Sequence, residues 1–517
     1  MKGNMPIISV IIPTHNRCAS LNRTLDALCS QTYTLQQVEV IVVADGCTDG
    51  TMEMLRHYRT PYTLRFFELS KQGPAAARNH GADHTTSPLL LFLDDDVEPT
   101  TTLIEAHVCA HMRQSCQVVI GPYPPVFHSA SFFHIELMAW WKNVFNTMLQ
   151  PGHRFTYRDL LSGNFSLEAK LFIRIGGFDT ALWAHEDYEL GMRLIKAGVQ
   201  FTIISEAMGY HHDKSDPDRS LLRKRQEGRA DVLMARRHPE LLQTLPLVRF
   251  VMSGSSLSRF LQTLAFGWST FSDALATRLR HLLDLLERMG LRCYWRRLYR
   301  VLKSYWYLRG VAEELGTRQA LVDFVKGCQA HSNGNGPIVE LDLREGLEAA
   351  EQRLDKERPI MVRIRYGQLP IGIIPLQPGS ELLRGIHLRT ILVNTLAVPL
   401  LEALALEGSI TTSATVDRHK LSHSIKSLSP WFGPMKPGKM WFEQYSQWNR
   451  LESERSEKTP VLRKYWNRFS KQVSETAQLE DHQVAYWQRL AKDRERIIQK
   501  QMTLTKELKR DKSSLDA

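Results

Sequence analysis

The sequence predicts an α/β fold with a mostly parallel sheet in its first 240 residues. Three observations carry this reading. Short apolar runs alternate with helix-spaced segments, turn residues punctuate them, and one run delivers three consecutive aspartates. Ile7–Ile12 is the first strand, β-branched and stopped by Pro13. Ser20–Gln31 follows with Leu21, Leu25 and Leu28 at helical spacing. Val38–Val43 is a second buried strand ending at Ala44-Asp45-Gly46, and Thr48-Asp49-Gly50 opens a helix with capping side chains. Thr63–Leu69 is a third strand, and Gly73-Pro74-Ala75 starts a helix with proline where it is best tolerated. Leu89–Leu93 is a fourth strand, wholly apolar, with Asp94-Asp95-Asp96 at its carboxyl end. That end is where open α/β sheets bind ligands.

Beyond residue 240 the pattern changes. Leu257, Phe260, Leu261, Leu264, Trp268, Phe271, Leu275, Leu279, Leu282, Leu286 and Met289 recur at helical spacing, and residues 292–309 continue as a helix rich in arginine and aromatics. Residues 241–330 are therefore expected to be a basic, amphipathic helical region. Residues 332–337, Ser-Asn-Gly-Asn-Gly-Pro, read as a linker. Ile360–Ile364 and Ile371–Pro375, around Tyr366-Gly367-Gln368, read as a hairpin within a small β-containing module at 338–410. Residues 411–517 are expected to be basic and helical with a flexible tail.

Composition narrows the function classes. With 517 residues, 43% hydrophobic and 23% charged, the chain has material for two to four globular domains. Its seven cysteines are scattered and form no C-x-x-C pair, so neither a disulfide framework nor a zinc site is signalled. Met1–Pro6 lacks the apolar stretch of a signal peptide, and a cytoplasmic location is the expectation. The net charge of +11 is uneven: residues 241–330 hold 13 Lys/Arg against 6 Asp/Glu, and residues 411–517 hold 21 against 13. Such surplus suits an anionic membrane surface, nucleic acid or an acidic acceptor. No recognised nucleic-acid motif accompanies it, so nucleic acid is not an expected partner. In residues 255–310, tryptophans and arginines among apolar positions suit a helix lying on a membrane, and equally helices packed on a neighbouring domain.

The chemistry resides in a set of motifs. Ser9-Val-Ile-Ile-Pro-Thr-His-Asn-Arg17, Val40-Ile-Val-Val-Ala-Asp-Gly-Cys-Thr-Asp-Gly-Thr51, Gly73-Pro-Ala-Ala-Ala-Arg-Asn-His-Gly81 and Phe92-Leu-Asp-Asp-Asp-Val97 come first. Gly176-Gly-Phe-Asp179 and His185-Glu-Asp-Tyr-Glu-Leu190 follow. In this order and spacing the segment 6–240 resembles the inverting family 2 glycosyltransferases of GT-A fold. The resemblance implies a nucleotide-sugar donor, a UDP-sugar first, and Mn2+ or Mg2+ as cofactor, while the amphipathic basic region points to a lipid-linked or polysaccharide glycan as acceptor. A peptide, protein or small-metabolite acceptor, or a non-catalytic relative binding nucleotide sugar or glycan, is the alternative.

The physics of a departing nucleoside diphosphate fits these residues. A divalent cation neutralises the growing negative charge, and hard oxygen ligands hold such a cation. Asp94-x-Asp96 matches the family's D-x-D, implying that Asp94 and Asp96 reach the metal while Asp94 and Asp95 contact the nucleotide. Pro13, His15 and Arg17 match the loop against base and phosphates, although His15 stands where tyrosine is more usual. Asp45 matches the base-binding aspartate, with Ala44 and Cys47 as departures. Gly73 and Arg78 match the helix entry and arginine beside the diphosphate. Gly163, Asn164 and Trp183 are acceptor-side candidates, Trp183 as a sugar platform or as packing. Asp187 matches the general base and Glu186 the residue that orients it or an acceptor hydroxyl. Of Tyr210-His-His212, His212 is favoured over His211 as an added metal ligand.

Overall fold

A computed structural model describes residues 7–404 except 115–116, 128–130, 330–337, 398 and 401–402. The expected linker at 332–337 and the region 411–517 lie outside the described residues. The central sheet has seven strands: β1 (Ile8–Thr14), β2 (Val38–Asp45), β3 (Thr63–Leu69), β4 (Leu89–Leu93), then β6 (Gln117–Ile120), β7 (Asn164–Glu168) and β8 (Gln200–Ile203). Their order is β3-β2-β1-β4-β7-β6-β8, and only β7 runs antiparallel to its neighbours. Two short strands, β5 (Val97–Pro99) and β9 (Gly209–His211), pair antiparallel beside it.

β1, β2 and β4 are almost completely buried, because helices cover both faces; this is why their sequences read as continuous apolar runs without alternation. β1 does not stop at Pro13. Pro13 lies opposite Val43, and the flanking pairs Ile12↔Val42 and Thr14↔Ala44 hold the strand through the one missing N–H. The first helix is Cys18–Leu28, and the helix after β2 is Thr51–His57, its entry held by Asp49, which accepts the Thr51 N–H at 3.1 Å. Gly73 precedes helix Pro74–Asp83 with φ +96, a conformation that favours glycine. Parallel strands in this order put the loops after β1, β2 and β4 on one edge, with Asp94–Asp96 among them.

After residue 216 the structure is helical. Helix Pro217–Arg237 crosses the long helix Arg292–Leu315 at very short range. A Cβ at Gly228 would run into the Tyr307 carbonyl, and one at Gly310 into the Arg225 carbonyl. Two glycines therefore let the backbones touch. Helices Ser256–Gly267 and Ser269–Arg288 cover this pair, sending Leu261, Ala265, Ala276 and Leu283 into a core shared with Trp295, Tyr299 and Leu302. Among the described residues no helix is long and apolar enough to cross a membrane.

A small three-stranded sheet follows: β10 (Ile338–Asp342), β11 (Met361–Tyr366) and β12 (Leu369–Ile374). β11 and β12 form the expected hairpin around Gly367-Gln368, Gly367 supplying the positive φ, and β10 joins in parallel. The chain just after this sheet pairs its backbone with the segment around residue 156, Tyr157 with Gly379 and Glu381 with Phe155.

Candidate active site

The site is assembled at the carboxyl edge of β1, β2 and β4. Asp94 follows β4, and its backbone N–H bonds the Gly163 carbonyl. A side chain at Gly163 would strike Tyr123 and the Asp94 carboxylate, so Gly163 floors the aspartate cluster by having none. Asp95 is buried and accepts the Thr14 hydroxyl at 2.7 Å. Arg17, with a side chain 45% exposed, spans Asp95 at 3.0 Å and Asp96 at 2.5 Å. Burial pushes the Asp95 carboxyl up, Arg17 opposes and Asp96 adds repulsion; it titrates near 7. Asp96 goes the other way. Burial would raise it, but His211, its hydrogen bond and Arg17 hold it at about 2.

It is His211, not His212, that meets the aspartates. His211 Nε2 lies 3.3 Å from Asp96, whereas His212 Nε2 sits 2.7 Å from Glu98. The reason is strand alternation: β9 pairs with β5, successive side chains point to opposite sides, and the two imidazoles diverge. Tyr123 and Trp141 wall the His211 ring edge-on, at 5.8 Å each.

The nucleotide-side candidates are gathered on the same edge. His15 is exposed, with Nδ1 2.6 Å from the Asp45 carbonyl. Asp45 accepts backbone N–H groups from Gln72 and Gly73, both at 2.7 Å, so it fixes the loop that enters the next helix. Asn16, in a left-handed conformation at φ +53, accepts the Thr48 N–H and locks the first loop to the second. Pro13 lies beneath His15 in β1. Arg78 is not presented to a diphosphate: it is buried, donating to Asp94 at 2.7 Å and to Glu186 at 3.1 Å. The motif showed a cation at a helix entry; its burial depends on β4 and helix Glu186–Lys196 closing over it.

On the acceptor side, helix Glu186–Lys196 places Glu186 and Asp187 in its first turn, both buried. Asp187 accepts the Tyr188 N–H at 2.9 Å and the Ser162 N–H at 3.3 Å. Burial lifts its carboxyl and Glu186 adds repulsion; Arg223, His185 and Arg78 offset part of this, leaving it near 6. That suits a group that must accept a proton at neutral pH. Trp183 is 53% exposed, its ring 3.5 Å from where a Cβ of Gly73 would stand. Asn164 is not available to an acceptor. Its side chain is buried, bonding His107 and the Ala207 carbonyl, because it begins β7 inside the sheet.

The description "Glycosyl transferase family 2" matches residues 9–176, and "N-terminal domain of galactosyltransferase" matches residues 142–214. Over residues 9–176 the chain is therefore similar to the family 2 glycosyltransferases. Validoxylamine A glucosyltransferase of Streptomyces hygroscopicus subsp. jinggangensis is 32% identical across 47% of this chain. The chain spans 64% of that relative's length. Glycosyltransferase AglE of Haloferax volcanii is 28% identical, across 41% of this chain and 68% of its own. A mannosyltransferase from Pyrobaculum calidifontis, solved with GDP-Man and Mn2+, is 17% identical, with a TM-score of 0.38 over 60% of this chain and 87% of its own.

Among the described residues no three His, Cys, Asp or Glu side chains form a ready metal cage. Asp96 and His211 nevertheless converge, and Asp94 follows the same strand. One or two protein carboxylates with substrate phosphates is how magnesium is commonly held. Asp96, His211 and the neighbouring Asp94 fit a cation whose coordination a diphosphate completes.

Proposed function

We propose that the protein is an inverting glycosyltransferase that moves a sugar from a nucleotide sugar, a UDP-sugar first, to a hydroxyl of a lipid-linked or polysaccharide acceptor. The observation that carries it is one edge bearing the aspartates of the D-x-D on one side and a carboxylate titrating near neutrality on the other. Asp187 takes the acceptor hydroxyl's proton. The freed oxygen bonds to the anomeric carbon as the bond from that carbon to the diphosphate breaks, with inversion. Glu186 and Arg78 orient the base, and Arg17, on the open side of the cluster, turns to the diphosphate. His15 and Asp45 border the base, and Trp183 borders the sugar. Asp94, Asp96 and His211 would hold a Mn2+ or Mg2+ ion, which when bound stabilises the leaving diphosphate.

The acceptor class is supported by an exposed face. On helix Ser269–Arg288 and just beyond it, Phe271, Leu275, Leu282, Leu285 and Met289 form one outward apolar stripe with Arg278 and Arg288 exposed beside it. The nearby acids Asp273, Asp284 and Glu287 are engaged with Arg309, Arg280 and the Phe132 N–H. A stripe of apolar and cationic groups suits peripheral attachment to an anionic bilayer. The test is turnover of a panel of UDP-, GDP- and dTDP-sugars by the purified protein with Mn2+. Nucleoside diphosphate release from one of them supports the reading. Absence of both release and nucleotide-sugar binding overturns it.

A further inference from the structure

The residue before the acidic pair, His185, has φ +60 and ψ 19. A left-handed backbone is unfavourable for a residue with a side chain and persists only where the surroundings enforce it. Here they do. His185 Nδ1 is 2.9 Å from Asp231 Oδ1, its Nε2 is 3.9 Å from Glu227, and its ring stacks on Tyr188 at 4.5 Å. The second oxygen of Asp231 accepts the Tyr307 hydroxyl at 2.5 Å. Asp231 and Tyr307 are both buried. The chain of contacts thus runs from helix Arg292–Leu315, through helix Pro217–Arg237, to the first turn of helix Glu186–Lys196.

Tyr307 is itself fixed at the Gly228–Gly310 crossing, where its carbonyl lies against Gly228. The backbone contact places the Tyr307 main chain, and its ring stacks on Phe250 at 5.9 Å, directing the hydroxyl to Asp231. We infer that Tyr307 and Asp231 are positioning residues for the catalytic base: they clamp His185 in its left-handed conformation and so aim Asp187. This rests on the reading of Asp187 as the base. It also makes the working catalytic unit extend past residue 240, to the helix at 292–315.

The clamp acts by charge as well as by geometry. Burial disfavours a charged His185 ring, but Asp231 and Glu227 outweigh it and raise its affinity for a proton. The groups facing Asp187 are then His185, Arg223 and Arg78 as cations, Glu186 as an anion, and the Tyr123 and Tyr188 hydroxyls. Asp231→Asn removes a charge that favours the protonated His185 ring, and so lessens the positive charge facing Asp187.

The test compares Asp231→Asn, Tyr307→Phe and Asp187→Asn in the full chain. It uses the donor that the nucleotide-sugar panel identifies. Misplacing a reacting group by an ångström from a distance costs on the order of 100-fold. Asp231→Asn is expected to lower kcat about 10- to 100-fold with donor KM unchanged. It should also move the acid limb of the kcat profile to higher pH. Tyr307→Phe keeps the ring and should lower kcat less, again without changing donor KM. If both variants lose thermal stability yet keep the parent's kcat per folded molecule and its acid limb, while Asp187→Asn is inactive, the positioning role is overturned and the base stands. If Asp187→Asn keeps the parent's turnover, the base assignment falls and takes the positioning role with it.

Discussion

Asp94 and Glu186, on opposite sides of the site, are held by a single guanidinium, that of Arg78. The aspartate follows β4 on the proposed donor side, and the glutamate begins the helix that carries the proposed base, Asp187. Arg78 therefore couples the two halves of the site through one buried guanidinium that bridges two carboxylates.

Breaking that coupling should cost both stability and catalysis. Arg78→Met leaves two carboxylates without their cation, and removing one member of a buried ionic group destabilises by about 3–5 kcal/mol. The urea midpoint should fall accordingly. Arg78→Lys should be milder in stability but still lower kcat/KM, since an ammonium lacks the planar fork. A parental urea midpoint in Arg78→Met would show that the pairing is incidental.

The Asp187 carboxyl, lifted by burial and by Glu186 to about 6, sets an acid limb. The base works only when ionised, so kcat should be level above about pH 6 and fall tenfold per unit below it. The stability sign is opposite. A folded-state pKa raised above the ordinary 3.8 stabilises the fold at low pH, and that contribution is lost as pH rises through 6. Asp187→Asn carries no charge to bury. It should therefore match or exceed the parent in melting temperature at pH 7 while transferring sugar roughly 100- to 10,000-fold more slowly. Loss of nucleotide affinity with preserved turnover would point to Glu186 instead.

Chelation should abolish turnover, and the two histidines should separate. His211→Ala removes a group that faces Asp96 and should raise the Mn2+ concentration for half-maximal activity by about 10-fold or more. His212→Ala removes a ring seated on Glu98 and should change it much less. Asp96→Ala should weaken nucleotide-sugar binding in calorimetry with Mn2+. Undiminished transfer in excess EDTA would exclude the metal assignment.

β1, β2 and β4 were legible because each is buried on both faces and therefore reads as an apolar run; the same burial that hides Val40 and Leu91 spells them out. β6, β8 and β9 gave no such signal, being three- or four-residue pieces among polar neighbours. Asp94–Asp96 and Glu186-Asp187 were legible as motifs, since chemistry dictates their type and order. Their partners were not. Which imidazole meets Asp96 depends on the side alternation of β9, and the inward turn of Asn164 depends on His107 lying behind it. Tyr307 reaches the site only because Gly228 and Gly310 let two helices touch, a fact of tertiary geometry that no local pattern announces.

The outward stripe of helix Ser269–Arg288 yields the last prediction. Leu282 and Leu285 are at least 38% exposed, so charging them leaves the inner face, with Ala276 and Leu283, untouched. Full-chain protein should co-sediment with vesicles containing acidic lipid at low salt and release as salt rises, because the attraction is screened within roughly 8 Å at physiological ionic strength. Each arginine near an anionic surface contributes about 1 kcal/mol, so Arg278→Ala with Arg288→Ala should weaken binding on the order of tenfold or more. Leu282→Glu with Leu285→Glu removes apolar insertion and adds repulsion, and should abolish binding. Release of nucleoside diphosphate in solution should be unchanged in both pairs, because neither touches the aspartate cluster or Asp187. Equal absence of binding to neutral and acidic vesicles at low salt by the parent protein would remove the membrane from the proposal and shift the acceptor toward a soluble glycan.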